Sequence, residues 1–243
     1  MTAPLSSAQL TGKDGSQLVE LGEGAQLHPQ AAAAFRRLQA AAAEAGFQLA
    51  IASAHRSFAR QCAIWNAKAS GRRPVNDDAG EMVDLAALSA PEQAHAILRF
   101  SALPGTSRHH WGTDLDVYDA AAVPADYRVQ LTPDEVAPAG PFGPLHAWLD
   151  ARMAADRSEG FFRPYAQDRG GVAVERWHLS YAPLSVHCES MLDAALLRAC
   201  WSGEELLLRE VLEAELPALL ARYVHVPADW CPARYRRPRD FIR

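Results

Sequence analysis

Histidine, carboxylate and arginine concentrate in three short stretches of this chain: Ser53-Ala-His-Arg-Ser57, Ser107-Arg-His-His-Trp-Gly-Thr-Asp-Leu-Asp116 and Glu175-Arg-Trp-His-Leu-Ser-Tyr181. A catalytic zinc takes three protein ligands of the imidazole and carboxylate type and keeps one position open for water. His178, together with His109 or its neighbour His110, can supply the imidazoles, and Asp116 a carboxylate. On a strand Asp114 and Asp116 point to one face. They can then bind a metal together, or one of them can orient a histidine ligand. Hydrolysis of a peptide also needs a group that takes a proton from water and returns it to the leaving amine. Glu175, three residues before His178, is placed for that if the segment bends. Arg56, just after a predicted strand, suits two-point binding of a carboxylate. Trp111 and Trp177 read first as packing residues, and an aromatic such as Trp177 beside a metal can also wall a substrate pocket. His28, His55, His95, His146, His187 and His225 read as hydrogen-bonded structural residues.

The elements that must carry these groups follow from periodicity and punctuation. Residues 29–45 predict a helix with Phe35, Leu38 and Ala42 on one face, stopped by Gly46. Residues 47–53 predict a strand and residues 58–69 a helix, and a possible short strand covers residues 17–21. Residues 70–88, with Gly71, Pro74, Asn76, Asp77, Asp78 and Gly80, form a long polar loop of the kind that is often functional. Ser89 and Glu92 have capping-box spacing before a helix expected to run to about Leu103, where Pro104-Gly105 ends it. A short strand is expected at 115–118, an irregular excursion at 120–141, a helix at about 145–155, and strand-like segments at 172–175 and 177–181. Two helices are expected after Pro183, at about 185–201 and 204–223. Helices and short strands that do not alternate regularly favour an α+β fold with a small central antiparallel sheet flanked by helices, ending in a C-terminal helical extension. The expected organisation is an N-terminal segment at 1–28, a domain at 29–183 that carries all three stretches, and the helical extension at 184–243 packed on it.

The chain has 243 residues, 49% hydrophobic and 22% charged, with a formal net charge of -5. Such a chain can bury a substantial core. Its weakly acidic balance lacks the basic footprint of a nucleic-acid binder. A basic run, Arg234, Arg236, Arg237, Arg239 and Arg243, reads as a solvated tail. Cys62, Cys188, Cys200 and Cys231 are scattered and form no Cys-x-x-Cys pair, so reduced, mostly buried thiols are expected. No apolar run reaches the ~20 residues needed to span a bilayer. The first residues lack the basic start and apolar stretch of a secretory signal. Read from this start the chain belongs in the cytoplasm; a start lying upstream would allow the periplasm.

Taken in order, the three stretches resemble the motifs of the VanY-like D-alanyl-D-alanine carboxypeptidases, zinc peptidases related to the D-Ala-D-Ala dipeptidases. Ser107-x-His109-x-x-Gly112-x-x-x-Asp116 is similar to their first zinc motif. Glu175-x-Trp177-His178-x-x-Tyr181 is similar to the second, and Ser53-x-x-Arg56-Ser57 with Gln61 to the upstream substrate motif. The resemblance covers roughly residues 29–183. It implies one catalytic Zn2+ held by His109, Asp116 and His178, which selects His109 over His110. It implies Glu175 as general base and acid, and Arg56 on the substrate's terminal carboxylate or the oxyanion, with Gln61 and Ser107 assisting. It implies a small antiparallel sheet flanked by helices and a peptidoglycan-derived peptide substrate ending in D-alanine. Two departures stand near the expected pocket: His55 where an aromatic residue is frequent, and Asp114 where a small residue is common. A D-Ala-D-Ala dipeptidase, an L,D-carboxypeptidase of cell-wall recycling and an endopeptidase are variants of the same chemistry. A non-catalytic peptidoglycan-binding module and a structural zinc protein with a fourth ligand, such as Asp114 or His110, are the rivals of another class.

Overall fold

The computed structural model describes residues 4–22 and 24–236. The elements run α1 (Ser7–Leu10), β1 (Val19–Gly22), β2 (Ala25–Leu27), α2 (Pro29–Glu44), β3 (Leu49–Ser53), α3 (Phe58–Ala69), α4 (Ala90–Leu98), β4 (Asp114–Asp119), α5 (Pro133–Val136), α6 (Gly143–Ala154), β5 (Phe161–Phe162), β6 (His178–Tyr181), α7 (Ala182–Ser190), α8 (Ala194–Trp201) and α9 (Arg209–Leu219). Strands β3, β4, β6 and β5 lie side by side in that order with every neighbouring pair antiparallel, and β1 and β2 form a separate ribbon. This is the small antiparallel sheet flanked by helices that the sequence leads one to expect. No helix among the described residues is long and apolar enough to cross a membrane.

Alternation along β4 and β6 divides the sheet. Leu115, Val117 and Leu179 join Phe35 and Leu38 of α2 and Leu145 and Leu149 of α6 in one buried core. Asp114, Asp116, His178 and Ser180 occupy the alternate positions and therefore the opposite face. Helix α2 starts at the His28 cap with Pro29 in its first turn, and its buried stripe is Ala31, Ala32, Ala34, Phe35, Leu38 and Ala42. Small alanines there let the helix lie close to the sheet.

A second core belongs to helices. Trp65 of α3, Ile97 and Leu98 of α4, Leu197 and Trp201 of α8 and Leu212 and Leu216 of α9 pack together with Trp111. All three buried indoles in it donate to backbone: Trp65 Nε1 to Leu207 O at 2.9 Å, Trp201 Nε1 to Pro104 O at 2.8 Å and Trp111 Nε1 to Leu10 O at 3.0 Å. Leu207 lies in the C-terminal helical segment, so the helices after residue 183 share a core with α3 and α4. The four cysteines are free and buried.

Several boundaries differ from the sequence expectation, each for a tertiary reason. Helix α4 stops at Leu98, not Leu103. The next carbonyls are needed elsewhere: Arg99 O accepts from Ala173 N–H, Ala102 O from Gln61 and Pro104 O from Trp201. Residues 172–175 form no strand, because Ala173 and Glu175 donate to the loop carbonyls of Arg99 and Tyr165. The helix expected at 185–201 is two helices, the second capped by the Asp193 carboxylate on Leu196 N–H. The helix expected at 204–223 begins only after Leu208, at φ 62°, and closes in a π-turn at Leu220–Val224. Pro217 inside it has no N–H for the Glu213 carbonyl, and Arg198 Nη2 donates to that oxygen at 3.2 Å. Arg237, Arg239 and Arg243 of the basic run lie outside the described residues.

Leu216 is fully buried in the helical core. Leu216→Ala is expected to lower unfolding stability by about 2–5 kcal/mol, measured by urea denaturation.

Candidate metal centre

The antiparallel register of β4 and β6 sets Asp116 directly opposite His178 and Asp114 opposite Ser180. His109 comes from a buried 3-10 turn, Arg108–Trp111, which ends at Gly112 with φ 69°. That left-handed turn brings the chain straight into β4. A side chain at Gly112 would place Cβ 2.3 Å from Leu18 Cδ2 and 2.8 Å from the His28 backbone nitrogen. Gly112 O accepts from that same His28 N–H at 2.8 Å, tying the turn to the start of α2.

The result is a tight group. One ligand atom each from His109, Asp116 and His178 lie within 4.8 Å of one another, and all three residues are buried. His109 Nε2 is 3.4 Å from Asp116 Oδ2, and His178 Nδ1 is 3.2 Å from Asp116 Oδ1. Asp116 Oδ1 makes no hydrogen bond despite its burial, which fits an atom directed at a cation. Two imidazoles and a carboxylate are a donor set for zinc.

The opposite nitrogen of His178 explains Asp114. His178 Nε2 donates to Asp114 Oδ1 at 3.0 Å, leaving Nδ1 for a metal. Asp114 also accepts from Thr113 Oγ1 at 2.5 Å and from Arg108 Nε at 2.9 Å. Of the two roles open to it, Asp114 fills the orienting one. Burial works against its charge, yet the Arg108 guanidinium and the His178 hydrogen bond hold its carboxyl well below the usual range. Burial would likewise depress His178, but the Asp114 hydrogen bond and the facing Asp116 carboxylate prevail and raise it to about 10. Burial lowers His109 to about 4. His110 is engaged elsewhere: Nδ1 meets Arg56 O at 2.6 Å, and Nε2 accepts from Gly105 N–H at 3.3 Å. With Asp114 and His110 committed, neither supplies the fourth ligand of a closed structural site. The group that can hold a metal among the described residues therefore has three members.

Glu175 sits on a tight turn whose closing bond is His178 N–H to Glu175 O at 3.2 Å. Its Oε2 lies 3.6 Å from His178 Nδ1. Every residue of the turn is anchored: Glu175 N–H donates to Tyr165 O, Arg176 Nη1 to Val136 O at 2.8 Å, and Trp177 O accepts from Val117 N–H. Burial raises the Glu175 carboxyl to about 7; the neighbouring Asp116 charge adds to this while His178 and Arg56 oppose it. Arg56 N–H donates to His109 O at 3.2 Å, so the arginine loop is stitched to the metal turn. Arg56 Nη1 donates to Gln61 Oε1 at 3.0 Å, and Gln61 Nε2 to Ala102 O at 2.7 Å. Burial lowers the Arg56 guanidinium, while the charges of Asp116 and Glu175 support it. Ser107, buried, caps the turn that carries His109. The ring of Trp177 packs with Val136 of α5 and with Phe142, just before α6.

The three stretches thus meet at one place. A family model described as VanY, D-alanyl-D-alanine carboxypeptidase, matches residues 24–184. The chain belongs to this family. An uncharacterised protein of Haemophilus influenzae is 46% identical over 103 residues, 41% of this chain and 70% of that protein. A second from the same organism is 30% identical over 124 residues, 50% of this chain and 92% of the other. Among solved structures, VanYB in complex with D-alanine-D-alanine is 20% identical, covering 82% of this chain and 88% of its own, with a TM-score of 0.46. The LdcB LD-carboxypeptidase is 21% identical, covering 84% and 80%, with a TM-score of 0.48.

Sequence reasoning missed Arg108, Tyr165 and Glu189. Arg108 is buried between Asp114, Ser180 Oγ at 2.8 Å and Glu189 Oε2 at 2.6 Å. The available signal was Asp114 itself, since an added carboxylate on a buried strand calls for a cation. The Tyr165 ring stands 5.0 Å from the His178 ring, and nothing in its sequence neighbourhood marks it.

Gly112→Ala is expected to displace the His109 turn, weakening zinc binding at least tenfold and stability by about 1–3 kcal/mol. Chelator competition and thermal unfolding measure the two effects, and unchanged zinc affinity would count against the turn's role.

Proposed function

We propose that the protein is a zinc-dependent carboxypeptidase that removes a terminal D-alanine from peptidoglycan stem peptides. The observation that carries this reading is the convergence of His109, Asp116 and His178, with the Glu175 carboxylate 3.6 Å from the metal-facing nitrogen of His178. Family membership supports the substrate class.

His109 Nε2, an Asp116 oxygen and His178 Nδ1 would hold the metal. Zinc bound there supplies Lewis-acid polarisation of the scissile carbonyl and lowers the pKa of water to about 7. Arg56, aimed by Gln61, receives the terminal carboxylate and sets the scissile bond beside the ligand cluster. Glu175 takes a proton from the attacking water, whose oxygen bonds to the carbonyl carbon. It then gives that proton to the nitrogen as the carbon–nitrogen bond breaks, releasing D-alanine and a shortened peptide. A carboxyl raised to about 7 exchanges protons readily in both directions near neutrality. Trp177 and Ser107 border this path and are proposed substrate contacts.

The same machinery serves a D-Ala-D-Ala dipeptidase or an L,D-carboxypeptidase. Release of D-alanine from free D-Ala-D-Ala, a stem pentapeptide and a stem tetrapeptide separates the three. Chelator is expected to abolish release and zinc to restore it. Glu175→Ala should keep its zinc and lose about 10²–10⁴-fold in rate, whereas His178→Ala should lose the zinc. Full turnover by zinc-loaded Glu175→Ala would overturn the role of Glu175. No release from any of the three peptides by the zinc-loaded enzyme would favour a peptidoglycan-binding module.

A further inference from the structure

The orienting interactions of the two histidines differ. His178 Nε2 is fixed by Asp114, whereas His109 Nδ1 is buried and makes no hydrogen bond with the described residues. Orientation through a side-chain partner is therefore concentrated on His178, and it continues beyond Asp114. Arg108, 2% exposed, donates to Asp114 through Nε and to Glu189 Oε2 through Nη1 at 2.6 Å. Its plane is sandwiched as well, 4.9 Å from the Trp111 ring and 5.9 Å from that of Phe162. Glu189 belongs to α7, and its other oxygen accepts from Val226 N–H at 2.9 Å, just past the π-turn. Ser185, one turn earlier on α7, accepts from Ser180 Oγ at 2.8 Å, and Ser180 in turn accepts from Arg108 Nη2. The family match ends at residue 184, so Glu189 and Val226 lie beyond it.

We propose that Glu189 is a positioning residue of the metal centre, and that the C-terminal segment is a working part of that centre through the path Val226, Glu189, Arg108, Asp114, His178. The inference rests on the metal-centre reading above. Arg108 is a buried cation shared by two carboxylates. Without Glu189 its Nη1 donor loses its acceptor although Arg108 itself is buried. The guanidinium must then shift or lean wholly on Asp114. Either change alters the acceptor that orients His178 and strengthens its lone pair. Changes in such outer partners of metal ligands typically cost 10–100-fold in affinity. Glu189 stands two bonds further out than Asp114, which points to the lower end of that range.

The test uses the full chain and Zn2+ alone as probe, with affinity measured by competition against a chromophoric chelator. Glu189→Ala and Glu189→Gln are compared with wild type and with Leu216→Ala, which loosens the same helical core without touching Arg108. Circular dichroism and thermal melting report the fold of each variant. Glu189→Ala is expected to bind zinc about tenfold more weakly, with Glu189→Gln between it and wild type. Leu216→Ala should melt earlier and keep wild-type zinc affinity. Wild-type affinity in a folded Glu189 variant overturns the proposal, as does an equal loss in Leu216→Ala, since general loosening would then be the cause. If Glu189→Ala does not fold, Glu189→Gln decides by the same criterion. A wild-type protein that binds no zinc removes the metal-centre reading itself, an outcome distinct from equal binding by wild type and variant.

Discussion

Asp114 is a carboxylate with no exposure to water, placed on an inner strand of the sheet, and the surrounding structure answers to it. An ion taken out of water carries a desolvation cost of several kcal/mol. It keeps its charge only if donors replace the lost hydration. Three do so here: the Arg108 guanidinium, the His178 imidazole and the Thr113 hydroxyl. Each then has one geometry available to it. His178 must present Nδ1 to the metal side, because Nε2 is committed. Arg108, itself buried, needs a second acid, and Glu189 provides it. Such clusters contribute little net stability against a well-packed apolar alternative. Their effect is on uniqueness of arrangement, which a metal site requires more than extra stability.

Three means of fixing a candidate ligand operate side by side. His178 is held through its side chain by charge. His109 is held through its backbone, by a turn that needs the left-handed conformation of Gly112 and is stitched to Arg56 and His28. Asp116 is fixed by strand register opposite His178. Strand register, turn geometry and a buried ion cluster therefore each place one candidate ligand. Glu175 adds a fourth device, a turn with each residue anchored to a different neighbouring segment.

Much of this was legible in the sequence, and the limits have physical causes. The alternation Asp-Leu-Asp-Val across residues 114–117 marked a strand with one polar and one apolar face. Helix α3 matched its expected range because Ser57 caps it and its apolar spacing is regular. The three residues that the resemblance to zinc-peptidase motifs implies as ligands, His109, Asp116 and His178, lie together in the structure. Local pattern failed where long-range bonds took over. The carbonyls after Leu98 leave the helix to serve Gln61, Trp201 and Ala173. The segment at 172–175 has strand-like residues but no strand beside it to pair with. Glu189 is an acid on a helix, which from sequence alone is indistinguishable from a solvated one; only the fold brings it to Arg108.

The position of the cluster between the two cores has a further consequence. The sheet core of α2 and α6 fixes the register of β4 and β6, while the helical core of α3, α4, α8 and α9 fixes the turn that carries His109 through Trp111. The cluster lies where these bodies meet, and a rigid element backs each ligand. The long connections are tied to one another. Arg99 holds two of them together, pairing Asp78 of the 70–88 loop at 2.6 Å and Asp168 of the loop before Glu175 at 2.7 Å. Charge pairs this exposed contribute little to stability. They do set the spacing between the 70–88 loop and the loop that leads into the Glu175 turn.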